Sequence, residues 1–193
     1  MLAAVLDAKH VQRAHVAGHS WGSSVVLAFA RRHRDRLDKL VIASGWMYDE
    51  QLLPLMRWAQ LPGGGAFYAL FYRQGIGERM YLNFYDPARL DQATVDEVER
   101  SMHRPGALAS AIAAVRAMRF SEHENEYRLI DAPTLVLWGR EDRVARLPFG
   151  ERLARDLPRA RLVVIPRCGH IPMWECGGET GIALRQFLDE GAE

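Results

Sequence analysis

Four short apolar runs, separated by amphipathic stretches, mark out the chain. The run over 39–44 (KLVIAS) is continuous and contains β-branched residues, which is typical of a strand buried on both faces, and 134–139 (TLVLWG) is predicted to be another buried strand. A third strand is predicted over 161–166 (RLVVIP). A fourth strand is predicted over 11–19 (VQRAHVAGH). Apolar residues at helical spacing predict helices over four further segments: 2–8, 22–33, 149–157 and 181–188. Strands that alternate with helices predict an α/β fold with a mostly parallel sheet and helices on both of its faces.

Residues 46–130 have a different pattern, with helical segments broken by glycine and proline and no clear strand. Helical segments are predicted over 66–72 and 107–118. Between them, Thr94 and Glu97 have the spacing of a capping box, which predicts the start of another helix.

This middle segment is much longer than a simple crossover between parallel strands, which needs only about a dozen residues. We therefore predict that it is an insertion that forms a helical cap over one edge of the sheet. The predicted domain organisation is a core made of residues 1–45 and 131–193, with the cap over residues 46–130.

The composition is that of an ordinary globular protein, with 193 residues, 49% hydrophobic and 25% charged, and a net charge of +1. The basic residues are scattered, so no nucleic-acid partner is expected. No apolar run approaches the roughly 18 residues of a membrane span. The first ten residues lack the basic start and cleavage site of a secretory signal. We therefore expect a cytoplasmic protein without a nucleic-acid or membrane partner.

The cysteines and histidines do not have the spacing of a metal site. Cys168 and Cys176 cannot form a framework of several disulfides, and we expect them to be reduced thiols. The seven histidines lack the cysteine or carboxylate neighbours that zinc sites show. No metal and no cofactor is predicted.

A candidate nucleophile lies between the first predicted strand and the helix that follows it. Residues 18–22 (GHSWG) fit the pattern G-x-S-x-G, in the strand–turn–helix context that this pattern requires. A sharp turn there would force Ser20 into a strained backbone conformation and expose its hydroxyl group. Residues two before and two after the serine must then be small, and Gly18 and Gly22 meet that demand.

A serine hydroxyl needs a base, and His170 is the best candidate. It follows the strand over 161–166, on a loop at the carboxyl end of that strand. His19 is adjacent to the serine, but on a strained turn its side chain is expected to point away and to be packed or hydrogen-bonded. The other five histidines have no motif around them: His10, His15, His33, His103 and His123.

The third member of the set should orient the imidazole. Asp142 lies just past the carboxyl end of the strand over 134–139, and the neighbouring Glu141 is the alternative. The spacing from Gly139 favours the aspartate. Taken alone, the sequence REDR would indicate an exposed charged turn. The order serine, aspartate, histidine, with each residue after a separate strand, favours a catalytic triad.

With these residues in place, the chain resembles the cap-bearing α/β-hydrolase superfamily, in its serine hydrolase branch. The resemblance rests on four stretches in the order of that superfamily: VAGHSWG (16–22), KLVIASG (39–45), PTLVLWGREDRV (133–144) and VVIPRCGHIPMWE (163–175). It implies that Ser20 is the nucleophile, Asp142 the acid and His170 the base. It also implies that the backbone N–H of Trp21 is one donor of the oxyanion hole.

The same resemblance shows a departure. The predicted strands resemble the fifth to eighth of the superfamily's eight, and the loop that supplies a second oxyanion N–H has no counterpart in the sequence. We expect an N-terminally incomplete hydrolase with weak activity, because loss of one oxyanion donor costs about 10²–10³ in rate. The elbow strand is then expected to be an edge of the sheet, which favours self-association.

A serine nucleophile predicts acyl transfer to water, and our main expectation is hydrolysis of carboxylic esters of small apolar substrates. The motif GHSWG also resembles the elbows of proline iminopeptidases, and C–C bond hydrolysis is a further alternative. A different class of function is a non-catalytic fragment or interaction module, which would use the fold without turnover.

Overall fold

The computed structural model describes residues 1–72 and 76–190 and contains one four-stranded sheet. All strand pairs are parallel, and the spatial order is the chain order, β1-β2-β3-β4. The strands are β1 (Ala14–His19), β2 (Leu37–Ala43), β3 (Thr134–Gly139) and β4 (Ala160–Ile165). The four predicted strands and their parallel arrangement are confirmed, and the molecule has the α/β fold.

Ten α-helices are found among the described residues. They are α1 (Leu2–Ala8), α2 (Trp21–Arg32), α3 (Pro54–Ala59), α4 (Gly64–Tyr72), α5 (Ile76–Tyr81), α6 (Gln92–Met102), α7 (Ala107–Ala117), α8 (Leu147–Asp156), α9 (Pro172–Glu175) and α10 (Gly177–Asp189). Helices α3 to α7 lie between β2 and β3, and the described part of that segment contains no strand. The division into a core and a cap domain stays a prediction.

Successive side chains of a strand point to opposite faces of the sheet, so a strand of apolar residues makes both faces apolar. Helices cover each of these faces. On one face, Leu40 and Ile42 of β2 share a core with buried residues of α2 and α8. On the other face, Val41 and Ala43 pack in a second core with Ala183 and Phe187 of α10. This pairing of faces explains why β2 and β3 read as continuous apolar runs.

Both ends of the helical insertion are anchored in the larger core. Trp46 and Tyr48 at its start are buried there, as are Phe120 and Tyr127 near its end. By contrast, Phe84 belongs to a small separate cluster in the middle of the insertion. The insertion is therefore tied to the sheet at its two ends and packs partly on its own between them.

The sequence prediction was wrong about how α6 begins. The residue that caps its N-terminus is Asp91, whose carboxylate accepts a hydrogen bond from the Thr94 N–H at 2.7 Å. Thr94 therefore lies inside the first turn of the helix. Aspartate and threonine are both good capping residues, and the two candidates stand only three positions apart.

In the described part of the chain, β1 has a strand neighbour on one side only. Among its side chains, Val16 is buried, whereas His15 and Ala17, which point to the opposite face of the sheet, are exposed. We also find, among the described residues, no helix that is long and apolar enough to cross a membrane.

Candidate active site

The three predicted site residues meet at the carboxyl edge of the sheet. Ser20 directly follows β1, Asp142 lies shortly after β3, and His170 lies on the loop after β4. The strands are parallel and aligned, with Gly139 of β3 opposite Ile165 of β4, so their carboxyl ends share one edge. Ligands of open α/β sheets bind at this edge.

Two hydrogen bonds join the three side chains into a chain. The Nε2 atom of His170 lies 2.9 Å from the Oγ atom of Ser20, and its Nδ1 atom lies 2.9 Å from the Oδ2 atom of Asp142. A carboxylate oxygen only accepts, so the ring proton belongs on Nδ1. That tautomer leaves Nε2 free to accept a proton from the serine hydroxyl, which is the arrangement a general base requires.

The carboxylate of Asp142 is fixed on its other side as well. Its Oδ1 atom accepts hydrogen bonds from the N–H groups of Val144 and Ala145, both at 2.8 Å. Asp142 and His170 are buried, with 5% and 3% of their surfaces exposed. A buried and fully engaged carboxylate holds the imidazole in one orientation.

Glu141, the alternative acid, has a different partner. Its Oε2 atom accepts a hydrogen bond from the N–H of Cys168 at 3.1 Å. The structure therefore brings Asp142, and not Glu141, to the imidazole of His170.

The backbone at the serine is strained, as the motif predicts. Ser20 has φ 52° and ψ −125°, and it lies between the end of β1 and the start of α2. Its N–H donates to the carbonyl of Ala43 at 3.0 Å, and its own carbonyl accepts from the Trp46 N–H at 3.2 Å. These two hydrogen bonds hold Ser20 in a backbone conformation that residues other than glycine rarely adopt.

Only one of the two elbow glycines is required sterically by the surrounding atoms. A Cβ atom on Gly18 would lie 2.6 Å from the carbonyl oxygen of Gly22 and 2.6 Å from a methyl group of Val26. A Cβ atom on Gly22 would meet no atom of the described residues within 4 Å. The expectation that both positions must be small is therefore confirmed for Gly18 and wrong for Gly22.

Trp21 is the first residue of α2. The first N–H groups of a helix have no acceptor within the helix, and the helix dipole favours negative charge at this end. This placement suits the predicted role of the Trp21 N–H as an oxyanion donor. That role stays a prediction.

His19 is hydrogen-bonded, as expected, and its partner lies in the loop that carries His170. Its Nε2–H donates to the backbone carbonyl of His170 at 2.7 Å, since a carbonyl only accepts. Burial lowers the pKa of His19 from its ordinary value of 6.5, and the hydrogen bond to His170 opposes this effect. His19 therefore supports the loop that carries His170.

Sequence reasoning missed Glu175, which is 3% exposed. Its Oε2 atom accepts from the N–H groups of Gly169 at 2.6 Å and Tyr85 at 3.1 Å. Its Oε1 atom accepts from the N–H of Asp86 at 2.7 Å. The only signal in the sequence is an acidic residue among apolar ones in PMWEC, five positions after His170.

The expectation of reduced thiols was wrong, because Cys168 and Cys176 form a disulfide. The short helix α9 turns the chain back and brings their Cα atoms to 6.2 Å. The cytoplasmic location that accompanied this expectation stays a prediction.

Among the described residues, one group has the composition of a metal site, namely the two cysteines with Glu175. The disulfide uses both sulfur atoms, and backbone N–H groups occupy both carboxylate oxygens. The two cysteines and Glu175 therefore hold the loop together.

The parallel sheet, the strained serine after β1 and the three hydrogen-bonded side chains form the arrangement of the α/β-hydrolase fold. Residues 1–175 match a family described as alpha/beta hydrolase fold. The chain belongs to this family.

Curated relatives cover nearly all of this chain. A 2-hydroxy-6-oxononadienedioate/2-hydroxy-6-oxononatrienedioate hydrolase of Burkholderia vietnamiensis is 29% identical over 191 residues, which are 97% of this chain and 66% of the relative. A 2-hydroxy-6-oxo-6-phenylhexa-2,4-dienoate hydrolase of Burkholderia cepacia is 28% identical over 190 residues, again 97% of this chain and 66% of the relative. The chain thus spans about two thirds of the length of these relatives.

A solved structure shows the same fold. The 2-hydroxy-6-oxo-6-phenylhexa-2,4-dienoate hydrolase of Rhodococcus sp. strain RHA1 superposes with a TM-score of 0.78 at 22% identity. The superposition covers 97% of this chain and 68% of the other.

Proposed function

We propose that this chain carries the catalytic centre of a serine hydrolase, with Ser20 as nucleophile, His170 as base and Asp142 as the group that orients the imidazole. The observation that carries the proposal is the pair of 2.9 Å hydrogen bonds that links the three side chains. Each residue comes from a different strand end, so the arrangement depends on the whole sheet and not on local sequence.

The geometry supports a two-step reaction. The hydroxyl oxygen of Ser20 attacks a substrate carbonyl carbon while the Nε2 atom of His170 takes the hydroxyl proton. The bond to the leaving group breaks, the imidazolium returns the proton to that group, and an acyl-serine forms. Water then attacks the acyl-serine, again with His170 as base, and releases the acid and the free serine. We propose that the Trp21 N–H stabilises the negative oxygen in both steps.

The curated relatives favour a C–C bond substrate over the ester that the motif alone suggested. The names of these relatives describe hydrolases of 2-hydroxy-6-oxo-dienoates and related dicarboxylates. We propose a substrate of this kind, in which the attacked carbonyl is a ketone and the leaving group is a carbon that receives the proton. Carboxylic esters are the second candidate, since they react at the same carbonyl carbon with an alcohol as leaving group.

The test compares two substrates with the same enzyme preparation. Hydrolysis of 2-hydroxy-6-oxo-6-phenylhexa-2,4-dienoate and of p-nitrophenyl acetate is followed by absorbance, and kcat/KM is measured for each. We expect the dienoate to have the larger value. The Ser20→Ala variant should lower both values by about 10⁴ or more, since nucleophile removal costs of that order.

Two outcomes would overturn parts of the proposal. A larger kcat/KM for the ester would reject the C–C substrate and retain the serine hydrolase. Absence of Ser20-dependent turnover with either substrate, in a folded sample, would reject catalysis and favour the interaction module.

A further inference from the structure

The buried carboxylate of Glu175 joins two segments that are distant in sequence. One is the loop that carries His170, reached through the N–H of Gly169. The other is the segment that follows α5 in the insertion, reached through the N–H groups of Tyr85 and Asp86. Three N–H groups thus converge on one carboxylate that is almost fully removed from solvent.

The same two segments touch directly at the base itself. The N–H of His170 donates to the carbonyl of Asn83 at 2.7 Å. The guanidinium of Arg89 donates to the backbone carbonyl of Glu175 at 2.6 Å. A Cβ atom on Gly169 would lie 2.5 Å from the Asn83 oxygen, so only glycine permits this approach.

These contacts restrict the backbone of residues 168–170, which carries the imidazole of His170. Three consecutive N–H groups in the loop each have a fixed acceptor: Cys168 donates to Glu141, Gly169 to Glu175 and His170 to Asn83. The disulfide between Cys168 and Cys176 closes the loop around them. Of these acceptors, Glu175 alone contacts both the loop and the insertion through its side chain.

We propose that Glu175 is a positioning residue that clamps the His170 loop to residues 83–86 of the insertion and so keeps the imidazole in line with Ser20. This inference rests on the proposed function. Hydrogen bonds from backbone N–H groups to a carboxylate are among the strong hydrogen bonds of proteins. Glutamine has the same shape, but its NH₂ group would face N–H donors, so at least one contact must open.

Opening the clamp should move the imidazole relative to the serine hydroxyl. A displacement of about 1 Å between reacting groups can cost on the order of 100-fold in rate. The clamp also links the base to the insertion, because residues 83–86 belong to it. The triad is therefore aligned only when the insertion stays in this position.

The experiment compares Glu175→Gln with Glu179→Gln in the full chain. Glu179 is exposed, lies four positions further on, and loses the same charge. A fluorophosphonate counts reactive serines, and p-nitrophenyl acetate turnover is expressed per reactive serine. We expect Glu175→Gln to lower kcat per site by about 10- to 100-fold with KM within about twofold, because alignment and not substrate contact is lost. Glu179→Gln should match the wild type.

A purely structural role for Glu175 would give a different result. The number of reactive serines would then fall while kcat per site stayed at the wild-type value, and the proposal would be overturned. If Glu175→Gln does not fold, Arg89→Met decides, since it removes the bond to the Glu175 carbonyl and leaves the Glu175 carboxylate in place. The ion pair of Arg89 with Asp86 at 3.8 Å is lost as well, but exposed ion pairs contribute little. We expect it to lower kcat per site by about threefold, as loss of one modest hydrogen bond implies. An unchanged value would overturn the clamp.

The failure of the clamp is distinct from the failure of the proposed function. A wild-type chain that reacts with the fluorophosphonate, together with a Glu175→Gln variant as fast as Glu179→Gln, rejects the clamp alone. A folded wild-type chain whose Ser20 does not react rejects both.

Discussion

At the scale of single residues, backbone strain is concentrated at the edge of the sheet that carries the site. Four residues other than glycine have positive φ among the described residues, and three of them follow strands: Ser20, Ser44 and Arg167. Strained residues persist only where the surrounding structure holds them, and they cluster at functional sites. Ser20 is held by bonds to the backbone of Ala43 and Trp46.

The two elbow glycines should respond differently to alanine. Gly18→Ala places a methyl group 2.6 Å from the Gly22 carbonyl, so the free energy of unfolding should fall by about 1–3 kcal/mol. Gly22→Ala has open space and lies in a helix, so it should leave stability unchanged or raise it by up to about 1 kcal/mol. Urea unfolding of both variants provides the measurement. An equal loss of stability in both variants would show that the close contact at Gly18 does not explain the need for glycine there.

His19 should make stability depend on pH. Burial lowers its pKa in the folded chain below its ordinary 6.5, so the unfolded chain binds the proton more readily. This contribution is therefore present in full above that value and is lost as the pH falls through 6.5 toward the lower folded pKa. His19→Gln, which keeps a donor of similar reach and does not titrate, should show a shallower loss between about pH 7.5 and 5.5. Identical pH profiles of the free energy of unfolding would exclude His19 as the cause.

At the scale of helices and strands, the elements that could be predicted are those whose burial leaves a regular apolar pattern in the sequence. The strands β2 and β3 were predictable because burial on both faces requires a continuous apolar run. The four-residue helix α9 was missed because it is too short to show periodicity. The start of α6 was misplaced because Asp91 and Thr94 compete for the same role.

The site was predictable to the same extent. Ser20, Asp142 and His170 could be found because each follows a predicted strand, and strand ends of a parallel sheet meet at one edge. Glu175 could not be found because its three partners are backbone N–H groups. Every residue except proline has such a group, so these partners form no motif in the sequence.

One contact between elements should stabilise the chain without affecting catalysis. The hydroxyl of Tyr48, at the start of the insertion, donates to Asp156 at the end of α8 at 2.5 Å. Burial, and next the bond to Asp156, raise the pKa of Tyr48, so the hydroxyl stays a donor. Tyr48→Phe should lower the free energy of unfolding by about 1–2 kcal/mol and leave kcat unchanged.

The matched control for Tyr48 is Tyr85→Phe, since Tyr85 is 40% exposed. We expect a change within about 0.5 kcal/mol for that control, as is usual for exposed positions. A loss of activity in Tyr48→Phe would show that this contact also shapes the site.

At the scale of the whole molecule, the described sheet has β1 at one edge, directly beside the serine. The N–H and C=O groups on the outer side of such a strand offer pairing sites to another chain. The relatives are longer than this chain, which matches about two thirds of their length. We propose that the 193-residue chain self-associates through β1.

A lysine on the edge strand should weaken this association. Ala17 is exposed on β1, and a charge there opposes strand pairing. Sedimentation velocity over a range of concentrations should show dimers or larger species for the wild type and a shift toward monomer for Ala17→Lys. Ala109→Lys adds the same charge on α7, at another exposed position, and should behave as the wild type. A wild type that stays monomeric at all concentrations would reject self-association.

The central claim is that Ser20 becomes a nucleophile because His170 and Asp142 are hydrogen-bonded in line with it. Its most direct test is the rate at which a fluorophosphonate modifies the chain, with the modified residue located by mass spectrometry. We expect a single modified residue, Ser20. We also expect His170→Ala and Asp142→Asn to slow the reaction by at least about 10³-fold in samples with unchanged circular dichroism. Modification of Ser20 at the same rate in folded His170→Ala protein would contradict it.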